Sequence, residues 1–307
     1  QHTSSTVPSF SGYPDDPVAV SPPFDPQSLP AGTRISGKYV LGAPVGWGEH
    51  SVVYAASHLL LQRKAAVKVL AKTDEESERR FAREIRLAGS LQHKNIVEIY
   101  EAGRLPDGRA FLAMEFLEGE TLEDRLGRVG PFSIAEAMRA GQQLLFGLAI
   151  AHENHIVHRD LRPQNVFMAQ IRGEEVLKIV DFGVSRRFGD GNDSMLTRPS
   201  VFQSTMQYLA PEQLYEDGVI DHRTDLYAVG IFLYRLLTGR VPFTGTSARL
   251  LLEIVDRQPE PPSVHRRELT ADVDRVVLTA LAKDKEHRFR DAESMAEALR
   301  LTSLFAG

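Results

Sequence analysis

Apolar and polar residues alternate in short runs at 39–41, 51–56, 65–70, 96–100 and 110–114, a period that predicts half-buried strands. Between the third and fourth runs, Thr73-Asp74-Glu75-Glu76 begins a helix reaching about Ser90, with Phe81, Ile85 and Ala88 on its apolar face and Glu84 beside it. After residues 115–119 the period lengthens. Ser133-Ile134-Ala135-Glu136 has the reciprocal capping signature of a helix start, and Ala137, Ala140, Leu144, Leu148 and Ala151 follow at helical spacing. Runs at 166–168 and 176–180 predict a hairpin of strands. Asp225 opens a helix over 226–237 that is hydrophobic nearly all round and stopped by Gly239, so it belongs in the centre of its lobe. Amphipathic helices near 247–255, 271–282 and 291–301 complete a chain that is strand-rich first and helical afterwards, without internal repeats.

Two stretches fall outside this pattern. Residues 1–33 carry repeated Ser and Pro with little apolar content, which predicts a leader without a fold of its own, and 304–307 form a short tail. Residues 184–207 are rich in Gly, Ser, Thr and Arg and exceed the ~12–15 residues of a plain connection, which marks a functional or disordered segment.

The 307 residues suffice for one large domain or two lobes, and 42% hydrophobic with 25% charged residues is the balance of an ordinary globular protein. A formal net charge of -5 argues against a nucleic-acid partner. Cysteine is absent, which excludes disulfides and thiolate metal sites and fits a cytoplasmic setting. No apolar run reaches the ~18 residues of a membrane helix, the best candidate at 226–237 being interrupted by Arg235, so no membrane segment is expected in this chain. Beginning at Gln1 rather than Met, the chain reads as a processed or excised piece, whose longer parent could be tethered to a membrane.

Candidate chemistry centres on Ile156-Val157-His158-Arg159-Asp160-Leu161-Arg162-Pro163-Gln164-Asn165, a polar loop between apolar arms. Read alone, it is equally a surface turn capped by its own Asp and Asn. Asp181-Phe182-Gly183 ends the predicted hairpin and brings another carboxylate, although a plain Asp-x-Gly turn reads the same way. In the first half, Gly46-Trp47-Gly48-Glu49-His50-Ser51 forms a hairpin tip whose glycines let backbone N–H groups approach phosphate oxygens. No Gly-Lys-Ser/Thr follows, so it is not a P-loop. Lys68 interrupts an apolar strand, either snorkelling to water or aimed at phosphates with Glu84 as its counter-charge. His152, His155 and His158 recur every three residues, but Ile156 breaks the metalloprotease spacing, which leaves them packing and loop-holding roles.

With His-Arg-Asp at 158–160 and Asn165, Asp181-Phe182-Gly183, Lys68, Glu84, the glycine hairpin and Ala210-Pro211-Glu212 in this order, the chain resembles the eukaryotic-like (Hanks-type) serine/threonine protein kinases over about residues 39–303. The phrases at 118–122, 207–213 and 237–243 look like the bacterial branch. The resemblance implies an α+β, two-lobed fold, with a small antiparallel β-sheet lobe carrying one helix at 34–117 and a larger mainly helical lobe at 118–303. It implies Mg-ATP (or Mn-ATP) between the lobes and protein substrates with Ser or Thr acceptors. Under the resemblance Gly46, Trp47, Gly48 and Ser51 cover the phosphates, and Val53, Ala66 and Phe167 count among the nucleotide contacts. Met114 is the gatekeeper, and the backbones of Glu115 and Leu117 meet adenine. Lys68 holds the α- and β-phosphates and pairs with Glu84, Asn165 and Asp181 ligate the metal, and Asp160 orients the acceptor hydroxyl. Glu212 pairs with Arg288.

Three departures stand out. Arg162 replaces the usual Lys two residues after the catalytic Asp, a planar fork in place of a compact charge, and Ser51 replaces the third glycine of the hairpin. Ser204 and Met206 likewise replace the Gly and Pro that flank the Thr205 position, while Pro163 and Thr205 favour Ser/Thr over Tyr. Arg159 offers a receiver for a phosphate on the 184–207 segment, Thr197 first and Ser200 second, placed there by transfer between self-associated copies. The rival readings are a nucleotide-binding pseudokinase scaffold and a small-molecule phosphotransferase. Retention of Lys68, Glu84, Asp160, Asn165 and Asp181 opposes the first, and Ala210-Pro211-Glu212 with the Asp225 helix opposes the second.

Overall fold

A computed structural model describes residues 28–48, 51–70, 85, 89–182, 206–215 and 217–303. Most of the expected leader and of the 73–90 helix, the 304–307 tail, and Glu84, Gly183, Thr197, Ser200, Ser204 and Thr205 lie outside the described residues.

The chain folds as α+β in two lobes. Six antiparallel strands form the smaller lobe's sheet: β1 (Arg34–Ile35), β2 (Tyr39–Gly48), β3 (Ser51–His58), β4 (Arg63–Leu70), β5 (Ile99–Arg104) and β6 (Ala110–Glu115), in the order β1-β2-β3-β4-β6-β5. One face of it carries Tyr39, Leu41, Val52, Tyr54, Val67, Val69, Phe111 and Ala113, which pack as that lobe's own core. Leu29 joins them and its N–H donates to the Tyr54 hydroxyl at 2.7 Å, so the last residues assigned to the leader are part of the fold. The strand expected at 96–100 is displaced, with β5 starting at Ile99. Instead Ile96 bridges Ile179, Val97 N–H donates to the Ile179 carbonyl, and Asn95 accepts from Ile179 N–H.

Beyond Glu115 the chain crosses to a second sheet of β7 (Gly119–Thr121), β8 (Val166–Ile171) and β9 (Glu174–Ile179). Gly119 adopts a φ of 143° and a Cβ there would stand 2.0 Å from the Met168 carbonyl oxygen, so only glycine permits this crossing. Six helices are described: α1 (Leu122–Val129), α2 (Ile134–Glu153), α3 (Arg223–Thr238), α4 (Ser247–Asp256), α5 (Ala271–Ala280) and α6 (Ala292–Ser303). Neither β7 nor α1 is foreseen by the apolar pattern. The Ser133–Glu136 capping box opens α2 as expected, with both reciprocal bonds present. Helix α3 starts at Arg223, two residues before Asp225, and nearly every residue from Thr224 to Leu237 is buried. Around α3 a single core gathers α2, α5 and α6, together with Met206, Tyr208, Leu209 and Ala210. Arg288, its side chain fully buried, grips Glu212 through both terminal nitrogens at 2.7 and 2.8 Å, the pair anticipated from the sequence.

Candidate active site

Strand register decides which residues of the small lobe face the cleft. Gly46 opposes Val53, Val53 opposes Lys68 and Lys68 opposes Leu112, a single row across β2, β3, β4 and β6. One row on, Ala55, Ala66 and Met114 stand opposite one another. Opposed residues share a face. Accordingly Val53, Ala66, Leu112, Met114 and Leu117 pack in one apolar cluster with Val97 and with Val180 from across the cleft, separate from the small lobe's core. Trp47, expected over the phosphates, is corrected: it opposes Val52 of the core face, so the strand register turns it away from the Lys68 row and leaves it half exposed, while Gly48 opposes Ser51 at the end of the hairpin. A Cβ on Gly48 would come within 2.7 Å of Ser51 Oγ, so a larger residue there would displace the serine side chain. Phe167, also expected to touch nucleotide, is half-buried on β8 with Thr121 and Lys178 as cross-strand neighbours, outside that cluster.

Lys68 is buried, and its Nζ donates to Asp181 Oδ1 at 2.7 Å. The partner expected from the sequence, Glu84, lies outside the described residues. Burial alone would raise the Asp181 carboxyl, but the charge and hydrogen bond of Lys68, helped by His158 and Arg162, outweigh it and hold the group below the usual carboxylate range. One residue earlier, Val180 N–H donates to the Asn165 carbonyl at 2.9 Å. The Asn165 side-chain amide then reaches Asp160, donating to its carbonyl at 2.8 Å and to Oδ2 at 3.0 Å. Arg162 Nε lies 3.4 Å from the same Oδ2. A continuous path therefore runs from Lys68 in one lobe to Asp160 in the other.

The loop holds this shape because Asp225, almost fully buried on α3, reaches back to it. Its carboxylate meets His152 Nε2, His158 N–H and Arg159 N–H, each at 2.8 Å. The sequence reading of Asp225 as the residue that opens its helix is corrected here. The N-cap position is His222, which makes no side-chain capping bond; Asp221, one residue earlier, accepts from Arg223 N–H at 2.9 Å, and the Asp225 carboxylate goes to the loop. Arg159 and Asp181 both occupy left-handed backbone, at φ 65° and 60°, conformations that cost ~1–3 kcal/mol for non-glycine residues and collect at functional sites. Asp225 and Gln213 fix the Arg159 peptide from both sides, the latter donating to its carbonyl at 2.8 Å. His158 Nε2 meets the Val180 carbonyl at 3.1 Å, and its ring stands edge-on to Phe182 at 4.9 Å.

His155, exposed in the turn after α2, sits at φ 58° without such a restraint on its side chain among the described residues. His155→Gly should therefore stabilise the protein by about 1 kcal/mol through removal of left-handed strain. Urea melts of the two proteins check this, and an unchanged or lower midpoint would refute it.

Asn165 and Asp181 offer hard oxygen donors, and the ammonium on Asp181 shows that this carboxylate accepts a cation. No group of three or more acidic or histidine side chains that could cage a metal stands among the described residues. The donor set fits Mg²⁺ or Mn²⁺, which take one or two protein ligands and fill the remaining positions with phosphate and water. Sequence reading missed Lys178, a buried cation on β9 that meets Glu115. The available signal was the one that marked Lys68: a lone charge inside an apolar run, here Val176-Leu177-Lys178-Ile179-Val180.

Comparison with known proteins adds to this geometry. The protein kinase domain family matches residues 39–299. Serine/threonine-protein kinase PrkC of Bacillus subtilis is 37% identical over 269 residues, which cover 86% of this chain and 40% of that protein. Serine/threonine-protein kinase PknB of Mycobacterium tuberculosis is 38% identical over 270 residues, covering 86% and 42%. The chain thus spans about two fifths of the length of these relatives. Among solved structures, the kinase domain of Mycobacterium tuberculosis PknI superposes with a TM-score of 0.70 at 26% identity, covering 90% of this chain and 99% of that one. No helix among the described residues is long and apolar enough to cross a membrane.

Proposed function

Because the chain belongs to the protein kinase domain family, we propose that it transfers the γ-phosphate of Mg-ATP to serine or threonine hydroxyls of proteins. The observation that supports this reading is the path Lys68, Asp181, Asn165, Asp160, which joins a buried cation, a carboxylate, an amide and a second carboxylate across the cleft. Phosphoryl transfer needs little covalent help; positioning and charge stabilisation supply most of the acceleration. Lys68 would bind the α- and β-phosphates, Asn165 and Asp181 would hold the divalent ion, which would supply neutralisation of phosphate charge, and Asp160 would orient the acceptor hydroxyl and receive its proton as the γ-phosphoryl group passes to that oxygen and ADP leaves. Val53, Ala66, Met114 and Leu117 enclose adenine, and the Glu115 and Leu117 backbones bond to it. The division of the lobes at 117/118 and a cytoplasmic location, where ATP is supplied, belong to the same reading. No observation favours a pseudokinase scaffold.

Control by phosphorylation fits this scheme. Arg159 is exposed, has no ion pair among the described residues, and starts from a fixed peptide, so its guanidinium can receive a phosphate from Thr197 or Ser200 placed there by a second copy.

Isothermal titration calorimetry with Mg-ADP reads nucleotide binding. Incubation with labelled Mg-ATP and a Ser/Thr peptide should yield phosphoserine or phosphothreonine. Lys68→Met should lower the transfer rate about 10²–10³-fold, the usual cost of deleting one group that stabilises transition-state charge. A wild-type chain that binds Mg-ATP without transferring phosphate would overturn the proposal.

A further inference from the structure

Strand β9 has two buried faces. Leu177 and Ile179 enter the large core, while Lys178 points the other way and is nevertheless only 6% exposed. A buried ammonium must find acceptors. Lys178 meets the Glu115 carboxylate, at the end of β6, and the Ile96 carbonyl at 3.3 Å. The same Glu115 oxygen accepts the Glu98 N–H at 2.8 Å, and Glu115 N–H returns a bond to the Glu98 carbonyl at 2.9 Å. Glu115 is thereby fixed at its backbone and its side chain, and Lys178 is the group from the large lobe that fixes it.

Buried ion pairs add little net stability over well-packed apolar residues of the same volume, so the consequence of this pair is sought in geometry. Three residues past Lys178, about 10 Å along an extended chain, comes Asp181 with its bond to Lys68. The ion pair connects the two ends of the cleft: the peptide of Glu115 at one, the Asp181 carboxylate at the other.

We propose that Lys178 is a positioning residue for nucleotide, setting the hinge backbone at Glu115 in register with the strand that delivers Asp181. The inference rests on the kinase reading of the site. Lys178 is buried against Glu115 and the Ile96 carbonyl, out of reach of a peptide on the surface, so its removal should act on the nucleotide alone. Lys178→Met should raise KM for ATP and the Kd for Mg-ADP, read by isothermal titration calorimetry, about tenfold. KM for the peptide should stay within about twofold. Lys178→Arg, which retains the charge and hydrogen bonds, should recover part of the ATP affinity. The double variant Lys178→Met/Glu115→Met removes both charges together; it should regain thermal stability lost by the single variant yet keep the raised KM for ATP.

Wild-type nucleotide affinity in Lys178→Met would overturn the inference alone. So would recovery of affinity in step with stability in the double variant, which is what a merely structural pair would give. A wild-type chain that neither binds nor uses Mg-ATP would remove the functional reading and this inference with it.

Discussion

Asp160→Asn should bind Mg-ADP as the wild type does and transfer phosphate about 10³-fold more slowly, within the usual range for loss of a general base. The substitution is nearly isosteric. An asparagine at 160 can turn its amide oxygen towards Asn165, whose side chain now donates to Asp160 Oδ2 at 3.0 Å, and the second Asn165 bond, to the backbone carbonyl at 2.8 Å, does not involve the side chain at all. The loop therefore retains its shape. What changes is the other side-chain atom, which becomes an NH₂ that cannot receive the hydroxyl proton. A radiolabel assay at saturating ATP measures the rate, and isothermal titration calorimetry with Mg-ADP establishes that binding persists. Retention of more than about a tenth of the wild-type rate would remove Asp160 from the base role.

Asp225→Ala should be the most damaging substitution for folding, at about 3–5 kcal/mol, because it takes the shared acceptor from one buried and two part-buried donors. His158 and Arg159 would keep unsatisfied backbone N–H groups, and His152 a ring nitrogen, where each now has an acceptor at 2.8 Å. Activity should fall with stability, since the left-handed Arg159 peptide depends on one of those bonds. The loss should also vary with pH. Burial taken alone would raise the Asp225 carboxyl, but the hydrogen bond and charge of His152 with further help from His158 hold it low. A lowered folded pKa contributes stability that is complete above the ordinary aspartate range and disappears as pH falls through the folded value. The gap between wild type and variant in urea should therefore be full above about pH 4 and narrow below it. A gap unchanged between pH 7 and pH 3 would mean that the carboxylate charge is not what holds the loop.

Much of this architecture is legible in the sequence because the small lobe's sheet has one face for its core and another for the cleft. Tyr54, Val67 and Val69 alternate with Val53, Ala66 and Lys68, and period-2 patterns are what strands leave in a sequence. Ile96 and Val97 misled the pattern, since they belong to a crossing that bonds to β9 and only Ile99 begins a strand. Helix α1 left almost no trace: of its eight residues only Leu122 and Leu126 are buried. Asp225 shows a different limit. An acid ahead of an apolar run reads as a helix start, and nothing local tells that its carboxylate is bound by a loop 66 residues upstream. Lys178 shows the opposite case, a local anomaly that was visible but had no partner until β9 met the end of β6.

The two-faced sheet also determines which length changes the small lobe tolerates. Leu60, 86% exposed in the turn between β3 and β4, can be duplicated or removed with the turn absorbing the difference. Deleting one residue inside β4 inverts the parity of everything beyond it: the ammonium of Lys68 would be driven under the sheet among Tyr54 and Phe111, and a valine would face the phosphates. Removing two neighbouring residues restores the odd–even order. For this lobe the arithmetic of indels, more than the identity of any single side chain, separates a nucleotide-binding sheet from one turned inside out.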